Sequence, residues 1–187
     1  MIPRFKIRSA CAAILFGVSL YMLPMMSCAQ AQEAAVTDKD LEVAVRAFSF
    51  AYGIEKGDIS VEIVYNPGNP DSSGEAKRLQ DLIQTTGTFA NRKVSAEMVP
   101  LASMGSTKSK IAYITHGMQK DYDTILATAR NNKLLTFSTD FQCVENSKCV
   151  MGVTGENIIK IEISRSAAAA SGVEFSQALR LMIGEVN

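Results

Sequence analysis

The chain has 187 residues and no net charge, with 19 lysines and arginines against 19 aspartates and glutamates. This length accommodates about one domain, and the absence of a clustered basic stripe argues against nucleic-acid binding. The 47% hydrophobic content is typical of a globular protein, and no stretch after residue 32 is apolar for long enough to predict a membrane-spanning helix.

The first 31 residues have the pattern of a secretory signal peptide. Three basic residues stand at its start: Arg4, Lys6 and Arg8. An apolar run over residues 11–23 follows, and the small-residue triplet Ala29-Gln30-Ala31 ends the segment. We therefore predict a signal peptide over residues 1–31, cleaved after Ala31, and a periplasmic single domain over residues 32–187. The removed segment carries three basic residues, so the mature chain has 16 basic against 19 acidic side chains.

Two other interpretations of this segment remain open. Ser27-Cys28 has the form of a lipoprotein junction, although Met25 and Met26 are a poor lead-in, so lipidation of Cys28 is the minor alternative. An uncleaved membrane anchor is disfavoured because the apolar run is too short to span a bilayer of about 30 Å.

The mature chain alternates helix-like and strand-like segments. The first predicted elements are a helix from Thr37 or Asp38 up to Gly53, a strand at 59–65, a turn cluster at 66–74 and a helix from about Ser73 to Thr86. A strand at 94–101, a polar loop at 103–109, a strand at 110–115, a helix at 121–130 and a strand at 134–138 follow. The chain is predicted to end with a hairpin of strands 150–154 and 158–163 and a helix from Ser176 to about Val186, with Leu179, Met182 and Ile183 facing the core.

This order predicts an α/β fold. Strands that alternate with helices form a mainly parallel sheet, with helices on both of its faces. The late hairpin adds an antiparallel edge to that sheet. The C-terminal helix completes the predicted single domain.

The cysteine pattern depends on the predicted compartment. Loss of the signal peptide would leave only Cys143 and Cys149, with five residues between them. Two such cysteines in an oxidising compartment favour a structural disulfide. Metal binding is the alternative, but two thiols without a nearby histidine are an incomplete ligand set, and a redox motif would have C-x-x-C spacing.

The sequence contains no recognisable catalytic motif. The serine hydrolase, zinc protease, dinucleotide and Walker patterns are all absent, so we expect no enzymatic activity and no cofactor. The loop 103–109 has hydroxyls and lysines, but it lacks the second glycine and the following helix of a phosphate-binding loop.

His116 is the only histidine in the chain and follows the predicted strand 110–115. Ligands of parallel α/β sheets bind at the carboxyl ends of the strands, so His116 is a candidate ligand-binding residue, together with the loop 103–109. A histidine at such a turn is more often structural or simply exposed.

The second half of the chain has a characteristic order of apolar and small residues. It runs from Lys110-Ile-Ala-Tyr-Ile-Thr through Leu134-Leu-Thr-Phe-Ser and Met151-Gly-Val to residues 161–182, Ile-Glu-Ile-Ser-Arg-Ser-Ala-Ala-Ala-Ala-Ser-Gly-Val-Glu-Phe-Ser-Gln-Ala-Leu-Arg-Leu-Met. This order resembles the YfiR-like family of small periplasmic proteins. Cys143 and Cys149 resemble a cysteine pair before the late strand in the namesake of that family.

This resemblance implies a non-enzymatic regulator. The namesake is a periplasmic dimer that represses an inner-membrane diguanylate cyclase, and an outer-membrane lipoprotein relieves that repression. The resemblance therefore implies a homodimer, a membrane sensor of the diguanylate cyclase or histidine kinase type as partner, and a role in cyclic-di-GMP signalling. The alternative hypothesis is a single-lobe periplasmic protein that binds a small ligand near His116.

Overall fold

The structure, a computed structural model, describes residues 36–54 and 56–186. Its helices are α1 Asp38–Phe48, α2 Pro70–Thr86, α3 Tyr122–Asn132, α4 Phe141–Glu145, α5 Arg165–Ser171 and α6 Gln177–Arg180. Its strands are β1 Ile59–Tyr65, β2 Thr88–Phe89, β3 Arg92–Pro100, β4 Ile111–Ile114, β5 Leu135–Ser138, β6 Met151–Thr154, β7 Lys160–Ser164 and β8 Gly184–Val186. The predicted signal peptide, its cleavage after Ala31 and Cys28 lie outside the described residues.

The strands form one mixed sheet in the order β2-β3-β1-β4-β5-β6-β7-β8. The central pairs from β3 to β6 are parallel, whereas β2 with β3 and β6 with β7 are antiparallel. The predicted late hairpin is confirmed by the pairing of Met151 with Ile163. No helix in the described ranges combines the length and apolar character needed to cross a membrane.

The two faces of the sheet carry two halves of the hydrophobic core. Side chains alternate along β1, so Val61 and Ile63 belong to one half and Val64 to the other. Helices α1 and α2 pack on the first half, whereas α3 and α4 pack on the second. The predicted α/β fold with helices on both faces is therefore confirmed.

Helix α2 begins three residues before the predicted start. The Asn69 side chain accepts hydrogen bonds from the backbone N–H groups of Asp71 and Ser72, at 3.0 and 3.4 Å, and Pro70 occupies the first turn. Asparagine at the N-cap and proline at the first helical position both favour helix initiation. The C-terminal part of the turn cluster is therefore helical.

The C-terminal region differs from the predicted helix. Helix α6 ends at Arg180, and residues Gly184–Val186 form β8, which pairs in parallel with β7. Leu179 is buried as predicted, but Met182 is 67% exposed. The apolar spacing suits a helix, yet the open edge of β7 offers backbone hydrogen bonds that a strand can use. The prediction of a C-terminal helix reaching Val186 is therefore wrong.

A short helix that the sequence analysis did not predict carries Cys143. Helix α4 begins after Asp140, whose side chain accepts the backbone N–H of Gln142 at 3.0 Å. The structure joins Cys143 of this helix to Cys149 in a disulfide, with their Cα atoms 5.2 Å apart, and both cysteines are buried. The chain-entropy description assigns about 2 kcal/mol to so small a ring.

The turn between β6 and β7, residues 155–159, is named the hairpin tip here. Its first residue is hydrogen-bonded to α1, since the Gly155 N–H donates to the Asp40 carboxylate at 2.7 Å. The other carboxylate oxygen of Asp40 accepts from the Thr37 backbone N–H and hydroxyl, both at 2.8 Å, and so caps α1. One buried carboxylate therefore fixes the hairpin tip and the start of α1 together.

Gly155 is required by a close backbone approach. A β-carbon there would lie 2.7 Å from the Lys39 carbonyl oxygen. We expect Gly155→Ala to lower the free energy of unfolding by about 1–3 kcal/mol, because backbone must move to admit the methyl group. The control is Gly57→Ala, where a β-carbon meets nothing within 4 Å. Urea unfolding measures both, and equal effects of the two substitutions would contradict the prediction.

Candidate functional site

The sheet changes its winding direction between β1 and β4. The chain leaves β1 through α2 toward β3, and it leaves β4 through α3 toward β5. In open α/β sheets, ligands bind outside the carboxyl ends of strands at such a switch point. The loops that follow β1 and β4 are therefore the expected position of a binding site.

These two loops are bonded directly to each other. Three side-chain contacts join them: Asn66 Nδ2 donates to Asp121 Oδ2 at 3.0 Å, Asn69 Nδ2 donates to the Gly117 carbonyl at 3.1 Å, and Ser72 Oγ lies 2.7 Å from Thr115 Oγ1. The side chains thus span the crevice at the switch point. The open space lies farther along the sheet, beside β5 and β6.

A cleft of about 450 Å³ lies at this end of the sheet. Loops after β4, β5 and β6 and the start of α1 contribute its walls. Its lining residues are Asp40, His116, Thr139, Asp140, Phe141, Gln142, Glu145, Thr154, Glu156 and Asn157. His116, the histidine singled out from the sequence, therefore borders the cleft. The role of His116 in ligand binding stays a prediction.

A buried carboxylate on α2 positions His116. Glu75 accepts the His116 backbone N–H at 2.7 Å through Oε2, and His116 Nδ1 lies 2.9 Å from Oε1. The Tyr113 hydroxyl also donates to Oε1, at 2.5 Å, and lies 3.0 Å from the Thr139 hydroxyl. The Glu75 side chain is 6% exposed and that of His116 is 14% exposed. This network holds the ends of β4 and β5 against α2.

The phenol of Tyr113 has a pKa raised well above its ordinary value of 10.0. Burial is the main cause, and the charge of Glu75 and its hydrogen bond act in the same direction. Phe137 also packs edge-on against the Tyr113 ring, with centroids 5.1 Å apart. Tyr113 therefore stays protonated and donates to Glu75 at neutral pH.

We expect stability to fall as the pH rises above about 10. In that range the unfolded chain loses the Tyr113 proton while the folded protein retains it, so the unfolded state gains relative stability. Below that range this group adds no pH dependence. Urea unfolding at a series of alkaline pH values measures the effect. Tyr113→Phe should flatten the decline, whereas Tyr52→Phe, at a 65% exposed position, should leave it unchanged; identical profiles for all three proteins would refute the assignment.

The opposite wall of the cleft is fixed by Asp140. Its Oδ2 accepts the Tyr122 hydroxyl at 2.6 Å and the Gln119 side-chain amide at 3.2 Å. Its Oδ1 accepts the Gln142 backbone N–H at the start of α4. Asp140 thus joins the loop before α3 to the loop before α4, and it lines the cleft with its hydrogen-bonding capacity largely used.

The cleft offers polar and acidic groups suited to binding. Within residues 36–54 and 56–186, no group of three or more histidine, cysteine, aspartate or glutamate side chains is arranged to hold a metal ion. Asp40 and Asp140 hold structural hydrogen bonds, whereas Glu145 and Glu156 are exposed at the rim. Recognition of a polar or cationic partner is the chemistry that this lining supports.

The loop 103–109 lies away from His116. It folds over Glu62, a fully buried residue of β1, which accepts the Gly105 N–H at 2.9 Å and the Thr107 N–H and hydroxyl at 3.1 and 2.5 Å. Glu62 alternates with Ile63 and so faces the side of the sheet opposite to α2 and Glu75. The structure therefore places this loop on the face of the sheet opposite to Glu75, and a ligand-binding role for the loop or for His116 stays a prediction.

Sequence reasoning missed the residues that support His116. Glu75 lies four residues before Leu79 and eight before Ile83, on the buried stripe of α2. A charged residue at a buried helical position was the available signal. Tyr113 gave no such signal, because its strand is apolar on both faces.

Comparison with solved structures shows an α/β fold shared with a substrate binding protein. A conserved domain protein of Vibrio cholerae has a TM-score of 0.56 at 16% identity, over 80% of this chain and 60% of that one. The ligand-free, open structure of CD0873, a substrate binding protein with adhesive properties from Clostridium difficile, has a TM-score of 0.55 at 14% identity, over 81% of this chain and 59% of that one. The chain thus spans about 60% of these structures, and the likeness concerns the fold alone.

The sequence also matches the YfiR/HmsC-like family over residues 72–182. The match covers more than half of the chain, from the first turn of α2 to two residues beyond α6. The protein belongs to this family. A comparison with curated protein sequences found no match.

Proposed function

We propose that the protein binds the periplasmic part of a membrane-bound sensor and modulates the output of that sensor. The sensor is of the diguanylate cyclase or histidine kinase type, and the signal concerned is cyclic-di-GMP. Membership of the YfiR/HmsC-like family carries this proposal. The cleft and the exposed hairpin tip support the proposal, because both are formed by loops, and loops carry binding functions more often than the core does.

The proposal includes the predicted maturation and assembly. The chain is exported by the signal peptide over residues 1–31 and released after Ala31, with lipidation of Cys28 as the minor alternative. The mature protein forms a homodimer, and an outer-membrane lipoprotein serves as a further partner that relieves repression. The disulfide between Cys143 and Cys149 supports export, because disulfides form and persist in oxidising compartments such as the periplasm.

The test is the cyclic-di-GMP content of cells that lack the gene. We expect this content to rise, and to return when the chain is supplied in the periplasm through an unrelated signal peptide. The matched control is the same chain without residues 1–31 and without any export signal, which should fail to complement. The proposal would be refuted if the deletion strain had an unchanged cyclic-di-GMP content and if histidine kinases encoded next to the deleted gene kept their level of phosphorylation.

A single-lobe ligand-binding protein is the second candidate. The cleft of about 450 Å³ beside His116 favours it, since small-molecule sites commonly have this size. A screen of thermal stability against metabolites tests the idea. A ligand present at 100 times its dissociation constant should stabilise the protein by about 2.7 kcal/mol, and His116→Ala should abolish the shift. A flat screen would exclude this function.

A further inference from the structure

We propose that the hairpin tip and the acidic rim of the cleft together form a docking surface for a basic, amphipathic segment of the sensor. This inference rests on the proposed function and deepens it by naming the surface and the chemistry of the partner. Three features carry it: two exposed isoleucines, a one-sided charge distribution and a rigid base.

The hairpin tip exposes two adjacent isoleucines. Ile158 is 77% exposed and Ile159 is 71% exposed. Tight turns are normally occupied by glycine and small polar residues, as at Gly155 and Asn157, so bulky apolar side chains have no local role there. Exposed apolar groups beside a polar rim mark interaction surfaces.

The cleft beside the hairpin tip is lined by acidic residues. Four of the ten described residues that line the cleft are aspartate or glutamate, and none of the ten is lysine or arginine. Asp40 and Asp140 hold the fold together, so the exposed Glu145 and Glu156 supply the outward charge.

The nearest strand lysine does not cancel this charge. Lys160 follows the hairpin tip, and its ammonium group lies 2.8 Å from the Glu162 carboxylate. The same ammonium lies 4.3 Å from the centre of the Phe141 ring. The charge of the Lys160 ammonium group is thus matched by Glu162. The contact with Phe141 shows that an aromatic ring in the wall of the cleft can make a cation–π interaction.

The base of the surface is preorganised. The Gly155 N–H is hydrogen-bonded to Asp40, and Gly155 packs directly on the Lys39 backbone. The hairpin tip is therefore held against the N-terminal end of α1. A rigid surface loses little conformational entropy on binding. Charge complementarity then defines the partner: apolar side chains to cover Ile158 and Ile159, with lysine or arginine beside them to meet Glu145 and Glu156.

Site-specific photocrosslinking in the native host locates the surface. A photoreactive amino acid is placed at position 158, and at position 52 as the matched control, since Tyr52 is 65% exposed beyond the C-terminal end of α1, whereas the hairpin tip contacts the N-terminal end of that helix. We expect a crosslink to a membrane sensor from position 158 only. The crosslinked peptide should carry lysine or arginine among apolar residues.

Purified protein then tests the chemistry. The probes are a synthetic amphipathic helix of leucine and lysine and the same helix with glutamate in place of lysine. We expect only the lysine peptide to bind, with affinity that falls as salt rises. The double variants Ile158→Ser/Ile159→Ser and Glu145→Gln/Glu156→Gln should each weaken binding by about tenfold or more. Tyr52→Ser and Glu97→Gln change exposed residues away from the hairpin tip and should have no effect.

The outcomes separate this inference from the proposed function. A sensor crosslinked from position 52 alone would leave the regulator proposal standing and overturn the docking surface. Crosslinks from position 158 to a second copy of this chain, or equal binding of both peptides, would also overturn it. Unchanged cyclic-di-GMP content in the deletion strain, together with unchanged histidine kinase phosphorylation, would instead remove the regulator function on which the inference rests.

Discussion

Replacing Glu62 with alanine is expected to lower the free energy of unfolding by at least about 3 kcal/mol, because hydrogen bonds to a charged group contribute about 1.5–3 kcal/mol each. Glu62 is fully buried and accepts three hydrogen bonds from Gly105 and Thr107. Alanine would leave two backbone N–H groups without their acceptor and would open a cavity beneath the loop 103–109.

The sheet provides a matched control for this substitution. Glu97 lies beside Glu62 in the register of β1 and β3, but it is exposed. Urea unfolding should therefore show a large loss for Glu62→Ala and a loss within about 0.5 kcal/mol for Glu97→Ala. Hydrogen exchange should report faster opening of the Gly105 and Thr107 amides in the first variant alone. Similar stabilities for the two variants would show that the loop does not depend on Glu62.

Glu75→Ala is the second substitution with a large expected effect. Breaking a buried ion pair or network from one side typically costs about 3–5 kcal/mol. Here the loss would strand the Tyr113 hydroxyl and the His116 backbone N–H, both of which donate to Glu75. We expect a destabilisation in that range by urea unfolding, and a shifted imidazole signal in the NMR spectrum, which is simple to assign because the chain has a single histidine.

The same helix contains the control. Asp81 pairs with Lys77 on the exposed side of α2, at 3.3 Å, with the aspartate side chain 57% exposed. Exposed pairs of this kind contribute about 0–1 kcal/mol, so Asp81→Ala should have little effect on either measurement. Glu75→Gln retains the volume but replaces one acceptor oxygen with an NH2 group, and its stability should lie between those of the wild type and Glu75→Ala. A Glu75→Ala protein as stable as Asp81→Ala would refute the proposed support of His116.

These predictions separate the scaffold from the recognition surface. Glu62 and Glu75 are on opposite faces of the sheet and act on stability, whereas Ile158, Ile159 and Glu156 lie at the hairpin tip and act on binding. Variants of the second kind should therefore fold normally. This separation allows the docking surface to be tested in protein of unchanged stability.

The local pattern of the chain was sufficient for most of the fold. Strand β1 has the same bounds in the prediction and the structure, because Ile59–Tyr65 is β-branched and flanked by turn residues. The hairpin of β6 and β7 follows from apolar strands around Gly155-Glu156-Asn157. The position of His116 at the end of β4 follows from the same local reasoning.

Other features required contacts that no local pattern contains. Residues 184–186 form a strand because β7 has an open edge, although their spacing suits a helix. Glu75 meets Tyr113 and His116 across 38 and 41 residues, and the loop 103–109 closes on Glu62 across more than 40. Such polar contacts leave little trace in hydrophobic periodicity.

The sequence by itself determined the α/β class, the order of the longer helices and strands, and the family, because these depend on repeating apolar patterns along the chain. It also predicted the pairing of Cys143 with Cys149 and placed His116 at a strand end. Only the tertiary structure decided where the cleft lies, which carboxylates support it, and that the loop 103–109 belongs to the opposite face. The reason is physical: burial repeats along a helix or strand, whereas a site is assembled from single side chains that the sheet order brings together.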